Sequence, residues 1–184
     1  MKKRICVFVF IGSLLFVLCG CSSMPYEDVP VELTSGVYRI WNLTNKFRQS
    51  KEAYYINEDN KTTTSVVGKL CYLKLNEDLC KVAAVRAREI AQSFSHTRPN
   101  GKRGYTVARE MHIDYMILGE NLAAGNEEPD KTFLQWKEDG LSYDLQGHRR
   151  NMLREEYDQI GIAYYYDPNS KYKHFWVMIL AKLR

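Results

Sequence analysis

From Asn76 to Phe94, apolar side chains return every three or four residues, at Leu79, Ala83, Ala87, Ile90, Ala91 and Phe94. That spacing is one face of an α-helix. Asn76 stands at the N-cap position, and Glu77 and Asp78 follow in the first turn, where the helix dipole favours acids. A helix of this length with a single apolar face needs a second layer to cover it. The C-terminus offers that layer, because there the period changes. Ile160, Ile162 and Tyr164 alternate with smaller or more exposed positions, and Phe175 to Leu180 form a short apolar run. Between them Asp167, Pro168, Asn169 and Ser170 form a turn, so the pattern predicts a two-stranded hairpin packed on the helix.

Three further helices fit the pattern. Val37, Ile40, Trp41, Thr44 and Phe47 line one face of a helix that Ser35 caps and that stops near Gln49. A short one spans Thr106 to Met111. Another opens at Pro129, whose fixed φ suits the first helical position, with Phe133 and Trp136 toward the core. Residues 50–68 are polar and read as an exposed loop. The chain has 184 residues, enough for one domain of ordinary size, and no strand-helix-strand spacing repeats. The expected fold is therefore α+β: a three-layer α/β/α sandwich with a small antiparallel sheet flanked by helices, not a parallel doubly wound sheet.

The N-terminus carries a different signal. Lys2, Lys3 and Arg4 precede the apolar run Ile5 to Leu18, which at about fourteen residues is short for a membrane span and has the anatomy of a secretory signal peptide. The run ends in Leu18, Cys19, Gly20 and Cys21, which resembles a bacterial lipobox: a branched apolar residue, two small ones, then the cysteine that receives lipid. Residues 1–20 are read as the signal peptide, Cys21 as the lipidated N-terminus, residues 21–35 as a tether with two prolines, and residues 36–184 as the domain. Lipid on Cys21 makes a membrane the first partner, either the cell membrane or an outer membrane, with the domain on the extracytoplasmic side. A plain signal peptide cleaved nearby is the alternative.

Export bears on the cysteines and on charge. Cys71 and Cys80 would reach an oxidising compartment, which permits a disulfide; two free thiols are the other reading. The formal net charge of +4 loses the three positive charges of Lys2, Lys3 and Arg4 on cleavage and falls to +1. A near-neutral domain lacks the clustered Lys and Arg that nucleic acid needs, so no nucleic-acid partner is expected.

Five polar segments follow one another along the chain: FSHTRPNG from Phe94, GENLAAG from Gly119, QWKEDG from Gln135, GHRRNML from Gly147 and QIGIAYYY from Gln159. In this order they resemble the motifs of the CAP superfamily, the SCP-like extracellular domains of cysteine-rich secretory proteins, venom antigens, plant pathogenesis-related proteins and many bacterial secreted proteins. TNKFR from Thr44 and LCYLKLNEDLCKVA from Leu70 also resemble family segments, so the likeness covers everything after the tether. It implies that two histidines and two acids converge on a solvent-open cleft. Residue by residue these are His96, Glu120 and His148, with the fourth position at Glu138 or Asp139.

The residue types agree with that expectation. Imidazole is the commonest protein metal ligand, and a neighbouring carboxylate orients it. Two imidazoles with one or two carboxylates can hold Zn²⁺ or another divalent cation with an open position, or can move protons. His96, His148, Glu120, Glu138 and Asp139 are accordingly the candidate metal ligands, and His96, Glu120 and His148 the candidate catalytic groups. Each also has a plainer role open to it: His96 beside the Arg98–Gly101 turn, Glu120 at a strand start, His148 as a helix cap. His112 and His174 lie in no motif and read as surface or packing residues. The function expected is binding of a small molecule, lipid, glycan, metal or protein at the cleft. The alternative is a metal-dependent peptidase or esterase, although no GxSxG nucleophile elbow is present. Ser95, next to His96, is a conceivable nucleophile, but neighbours in an extended segment seldom point the same way. Fatty-acid labelling of cells tests the anchor: the wild type takes up label and Cys21→Ala does not, and equal labelling of both removes the lipid.

Overall fold

The computed structural model describes residues 30–184. Cys21, the expected signal peptide and the expected tether up to residue 29 lie outside the described residues. The order of elements is α1 (Ser35–Arg48), β1 (Tyr54–Ile56), β2 (Thr63–Ser65), β3 (Lys74–Leu75), α2 (Glu77–Gln92), α3 (Thr106–Glu110), β4 (Tyr115–Ala124), α4 (Pro129–Lys137), a 3₁₀ turn (Tyr143–Leu145), α5 (Gly147–Met152), β5 (Gln159–Tyr166) and β6 (His174–Leu183). Among the described residues no helix is long and apolar enough to cross a membrane.

The main sheet has the order β3-β5-β6-β4. The expected hairpin is its centre: β5 and β6 pair antiparallel from Gln159↔Ala181 to Tyr166↔His174. Every residue of β6 from Phe175 to Ala181 is buried, because both faces of the sheet are covered, and a doubly covered strand reads as a continuous apolar run. Phe175, Val177, Ile179 and Ala181 pack with Leu79, Ala83, Ala87 and Ile90 of α2 and Val107 and Ala108 of α3. Trp176, Met178 and Leu180 pack on the other face with Val37, Ile40 and Phe47 of α1 and with Phe133 and Trp136 of α4. The result is the three-layer α/β/α sandwich.

Several expectations change in detail. The sheet is mixed, because β3 joins β5 in parallel through Lys74↔Gln159 and Leu75↔Ile160. Residues 50–68 contain an antiparallel ribbon, β1 paired with β2, where polarity suggested only a loop. The N-cap of α1 is Thr34, whose Oγ1 accepts from Val37 N at 3.3 Å, not Ser35. Asn76 caps α2 as expected, accepting from Leu79 N at 3.0 Å. Phe94 lies past the end of α2 and is exposed, since the chain has by then left the helix that would have turned it inward.

Cys71 and Cys80 form no disulfide; both thiols are free. Cys80 lies in α2, and its Sγ accepts from Ile162 N of β5 at 3.4 Å, while the Cys71 Sγ sits 3.2 Å from Tyr157 O and beside Arg48 of α1. The two sulfurs thus belong to opposite helical layers. Burial pushes the Cys80 thiol up to about 11, which makes it unreactive at neutral pH.

The α2 layer sits very close to the sheet at Gly161 of β5. A Cβ there would lie 2.1 Å from the carbonyl carbon of Leu79 and 2.4 Å from its oxygen, and backbone atoms inside a helix cannot yield cheaply. Gly161→Ala should therefore cost at least about 2 kcal/mol, read as a fall of about 5 °C or more in thermal midpoint. An unchanged midpoint would mean that α2 is not seated on β5 as described.

Candidate functional site

The site is built along β4, the edge strand of the sheet. Successive side chains of a strand point to opposite faces, so the Gly119-Glu120-Asn121 segment sends Glu120 toward the α2 layer and Asn121 toward α5. Asn121 is fully buried and donates from Nδ2 to the carbonyl of His148 at 3.1 Å. Asn151 of α5 donates to Asn121 Oδ1 at 2.9 Å and to the carbonyl of Glu120 at 3.3 Å, which occupies part of an edge that would otherwise be open to pairing. Gly119 is needed because a Cβ would meet the Tyr157 hydroxyl at 2.5 Å.

His96 and Glu120 belong to the α2 layer. His96 Nδ1 lies 2.8 Å from Glu120 Oε1, and the second carboxylate oxygen accepts from Arg86 Nε at 2.7 Å. Arg86 has no exposed side-chain surface. It also pairs with Glu89 at 2.5 Å and donates to the carbonyl of Ser95 at 2.8 Å, so it positions the loop that carries His96. Glu89 in turn accepts from Arg98 at 2.9 Å, and Arg98 reaches Glu110 of α3 at 2.7 Å. The Ser95 hydroxyl accepts from Thr97 N at 3.0 Å and serves its own turn. Burial by itself would raise the Glu120 carboxyl; hydrogen bonds from His96 and Arg86, and the charge of Arg86, outweigh it and hold the group below the ordinary carboxylate range.

His148 and Glu138 belong to the opposite layer. Glu138 ends α4 in the left-handed conformation, with φ 51° and ψ 43°, which turns its carboxylate back onto the start of α5. There Oε2 accepts from the backbone N–H groups of His148 at 3.0 Å and Arg149 at 3.2 Å, and Oε1 lies 2.5 Å from His148 Nδ1. Asp139, the other candidate, pairs with Lys137 at 2.7 Å and Arg149 at 2.6 Å and does not line the cleft. His96, Glu120, Glu138 and His148 do line one open cleft of about 720 Å³, together with Asp144, Arg150, Asn151 and Arg154.

The two halves repeat one device. Each imidazole turns Nδ1 to a carboxylate oxygen, an arrangement that leaves Nε2 for a ligand. Among the described residues no three His, Cys, Asp or Glu side chains are grouped for a metal ion. Sequence reasoning missed Arg86, Glu89 and Arg98. Arg86 left one trace, a charged residue inside the apolar period of α2. His112 is exposed, and His174 packs against Tyr164 with Nδ1 2.6 Å from its hydroxyl.

Comparison with known proteins decides the family. The profile of CAP, the cysteine-rich secretory protein family, matches residues 41–180. The chain belongs to the CAP family. As a CAP domain it is similar to the uncharacterized protein YkwD of Bacillus subtilis, 27% identical over 94 residues that cover 50% of this chain and 34% of that protein. Only about a third of that relative is therefore matched. Its fold resembles an outer surface protein of Borrelia burgdorferi, with a TM-score of 0.62 at 15% identity over 84% of this chain and 97% of that one. It also resembles an extracellular SCP-domain protein of Bacillus anthracis, with a TM-score of 0.57 at 19% identity over 80% of this chain and 40% of that one. At such identities the likeness to these structures speaks for the fold alone.

The Glu120 arrangement has a pH signature. A carboxyl held below its unfolded value stabilises the protein at pH above the unfolded value of about 4.3, and that contribution is lost as pH falls through the folded value. Glu120→Gln should cost roughly 2 kcal/mol at pH 7, since Arg86 keeps Glu89 but loses one buried partner. Denaturant titrations should show the gap between variant and wild type closing as pH drops from about 5 toward about 3. A gap independent of pH would remove the ion pair from the account.

Proposed function

We propose that this CAP-domain protein is exported and held to the cell envelope by lipid on Cys21, and that its cleft binds a divalent cation, Zn²⁺ or a similar ion, together with a ligand. The observation that carries the reading is the paired orientation of His96 and His148. Both rings turn Nδ1 to a carboxylate, which leaves Nε2 of each for a ligand, and both line one cleft. A carboxylate behind a histidine raises its basicity and fixes its direction, which is the usual support of a metal-ligating imidazole. In this reading His96 and His148 hold the ion, Glu120 and Glu138 orient them, and ligand or solvent atoms complete the shell. Bound there, the ion supplies Lewis acidity to whatever ligand meets it. Export and the lipid anchor rest on the Leu18 to Cys21 segment and on membership of a family of secretory proteins.

Calorimetric titration of Zn²⁺ into the purified protein tests the site. Wild type should bind saturably, and His96→Ala or His148→Ala should each weaken binding at least tenfold, because each removes one of two ligands. His96 is largely exposed and His148 partly so, so thermal midpoints should move little. Absence of saturable binding by wild type, or equal binding by the double variant, would exclude the shared ion.

A further inference from the structure

The His96 and His148 cleft does not end at the histidines. Arg150 and Arg154 line it and also line a second groove of about 570 Å³, whose other walls include Tyr55, Tyr143 and Leu153. Arg150 therefore stands at the junction of two adjoining hollows. Its guanidinium lies over the Tyr143 ring, 4.1 Å from the centroid, and Nη1 donates to the Tyr143 carbonyl. Stacking and that single bond fix the plane of the fork while leaving most of its five donors uncommitted. Among the described residues no carboxylate forms a salt bridge with Arg150, whereas Arg86, Arg98 and Arg149 all have one.

The surrounding charges leave that cation in command of the junction. Glu120 and Glu138 are already engaged, one by buried Arg86 and His96, the other by His148 and two backbone amides. Arg154 is paired with Glu156 at 3.2 Å, but both are well exposed, and such a pair contributes little and opens readily. Asp144 on the same rim is exposed and screened by solvent; Glu155 and Glu156 lie along the second groove. A guanidinium held flat with free donors is the arrangement that recognises planar or tetrahedral oxyanions through two parallel hydrogen bonds.

We propose that Arg150 is an anion anchor, which binds a carboxylate or phosphate carried by the ligand that occupies the cleft. Tyr143 is its positioning residue, since the ring and carbonyl hold the guanidinium in place. The proposal rests on the cleft being a ligand site, but it assigns the chemistry of that ligand: an acidic group a short distance from the part that meets the histidines.

The test uses the full-length protein in a non-ionic detergent, without metal, titrated separately with inorganic phosphate and with acetate while the arginine side-chain N–H signals are followed by NMR. Saturable shifts of the Arg150 Nε–H are expected with at least one of the two, and which one binds more tightly separates a phosphate ligand from a carboxylate. Arg150→Ala should weaken that binding at least tenfold, Arg150→Lys less, and Tyr143→Leu severalfold, while Asp144→Asn should strengthen it. Zn²⁺ titration of Arg150→Ala should remain saturable and be no weaker than wild type, since the change removes a positive charge from the cleft, so loss of the anion site and loss of the ion site are read independently. Linear, non-saturating shifts with both probes, or the same affinity in Arg150→Ala, would overturn the proposal.

Discussion

The ion pair between Arg86 and Glu120 is the contact on which the site depends. A guanidinium without exposed surface and a carboxylate nearly as buried are costly to desolvate, and only close geometry with complete hydrogen bonding offsets that cost. Here the geometry is complete: Arg86 spans Glu120 on the edge strand, Glu89 on its own helix and the carbonyl before His96. Helix, strand and loop are thereby locked at one point, and the imidazole takes its direction from the lock. Arg149 plays a similar part in the other layer, donating to the carbonyls of Glu52, Tyr54 and Lys137 and so joining the β1–β2 ribbon to the α4–α5 turn. Arg48 ties α1 to the end of α5 and the segment after it through the carbonyls of Met152, Arg154 and Tyr157.

These arginines explain how irregular chain can build a site. Loops carry many backbone carbonyls without strand or helix partners, and buried ones need donors. A guanidinium supplies several in a fixed fork. The cost is that each such arginine must find all its partners at once.

What the sequence discloses follows the range of the physics involved. The α2 helix, its Asn76 cap, the start of α4 at Pro129 and the β5–β6 hairpin depend on periodicity and local capping, and all were legible. Strand β4 was legible only as a strand start, because Gly119, Glu120 and Asn121 break the alternation that marks a strand; they do so because this strand faces a site on both sides. The ribbon of residues 54–65 is polar throughout most of its length and lacks an apolar pattern. The choice between Glu138 and Asp139 turned on one backbone angle, and the partners of Arg86 lie up to 34 positions away. No local pattern encodes either. His96 and His148 were found through family motifs, since spacing alone does not bring together residues from two helical layers.

The left-handed backbone at Glu138 sets two demands against each other at a single position. A side chain with a Cβ costs roughly 1–2 kcal/mol in that conformation, and glycine would relieve it, as glycine does at many helix ends of this shape. Glycine would also delete the carboxylate that seats His148 and starts α5. A population of variants sorted for thermal resilience and one sorted for cleft occupancy should thus diverge at residue 138 before they diverge elsewhere in the α4–α5 turn. The glutamate offsets its backbone cost with the bonds its carboxylate makes to the start of α5.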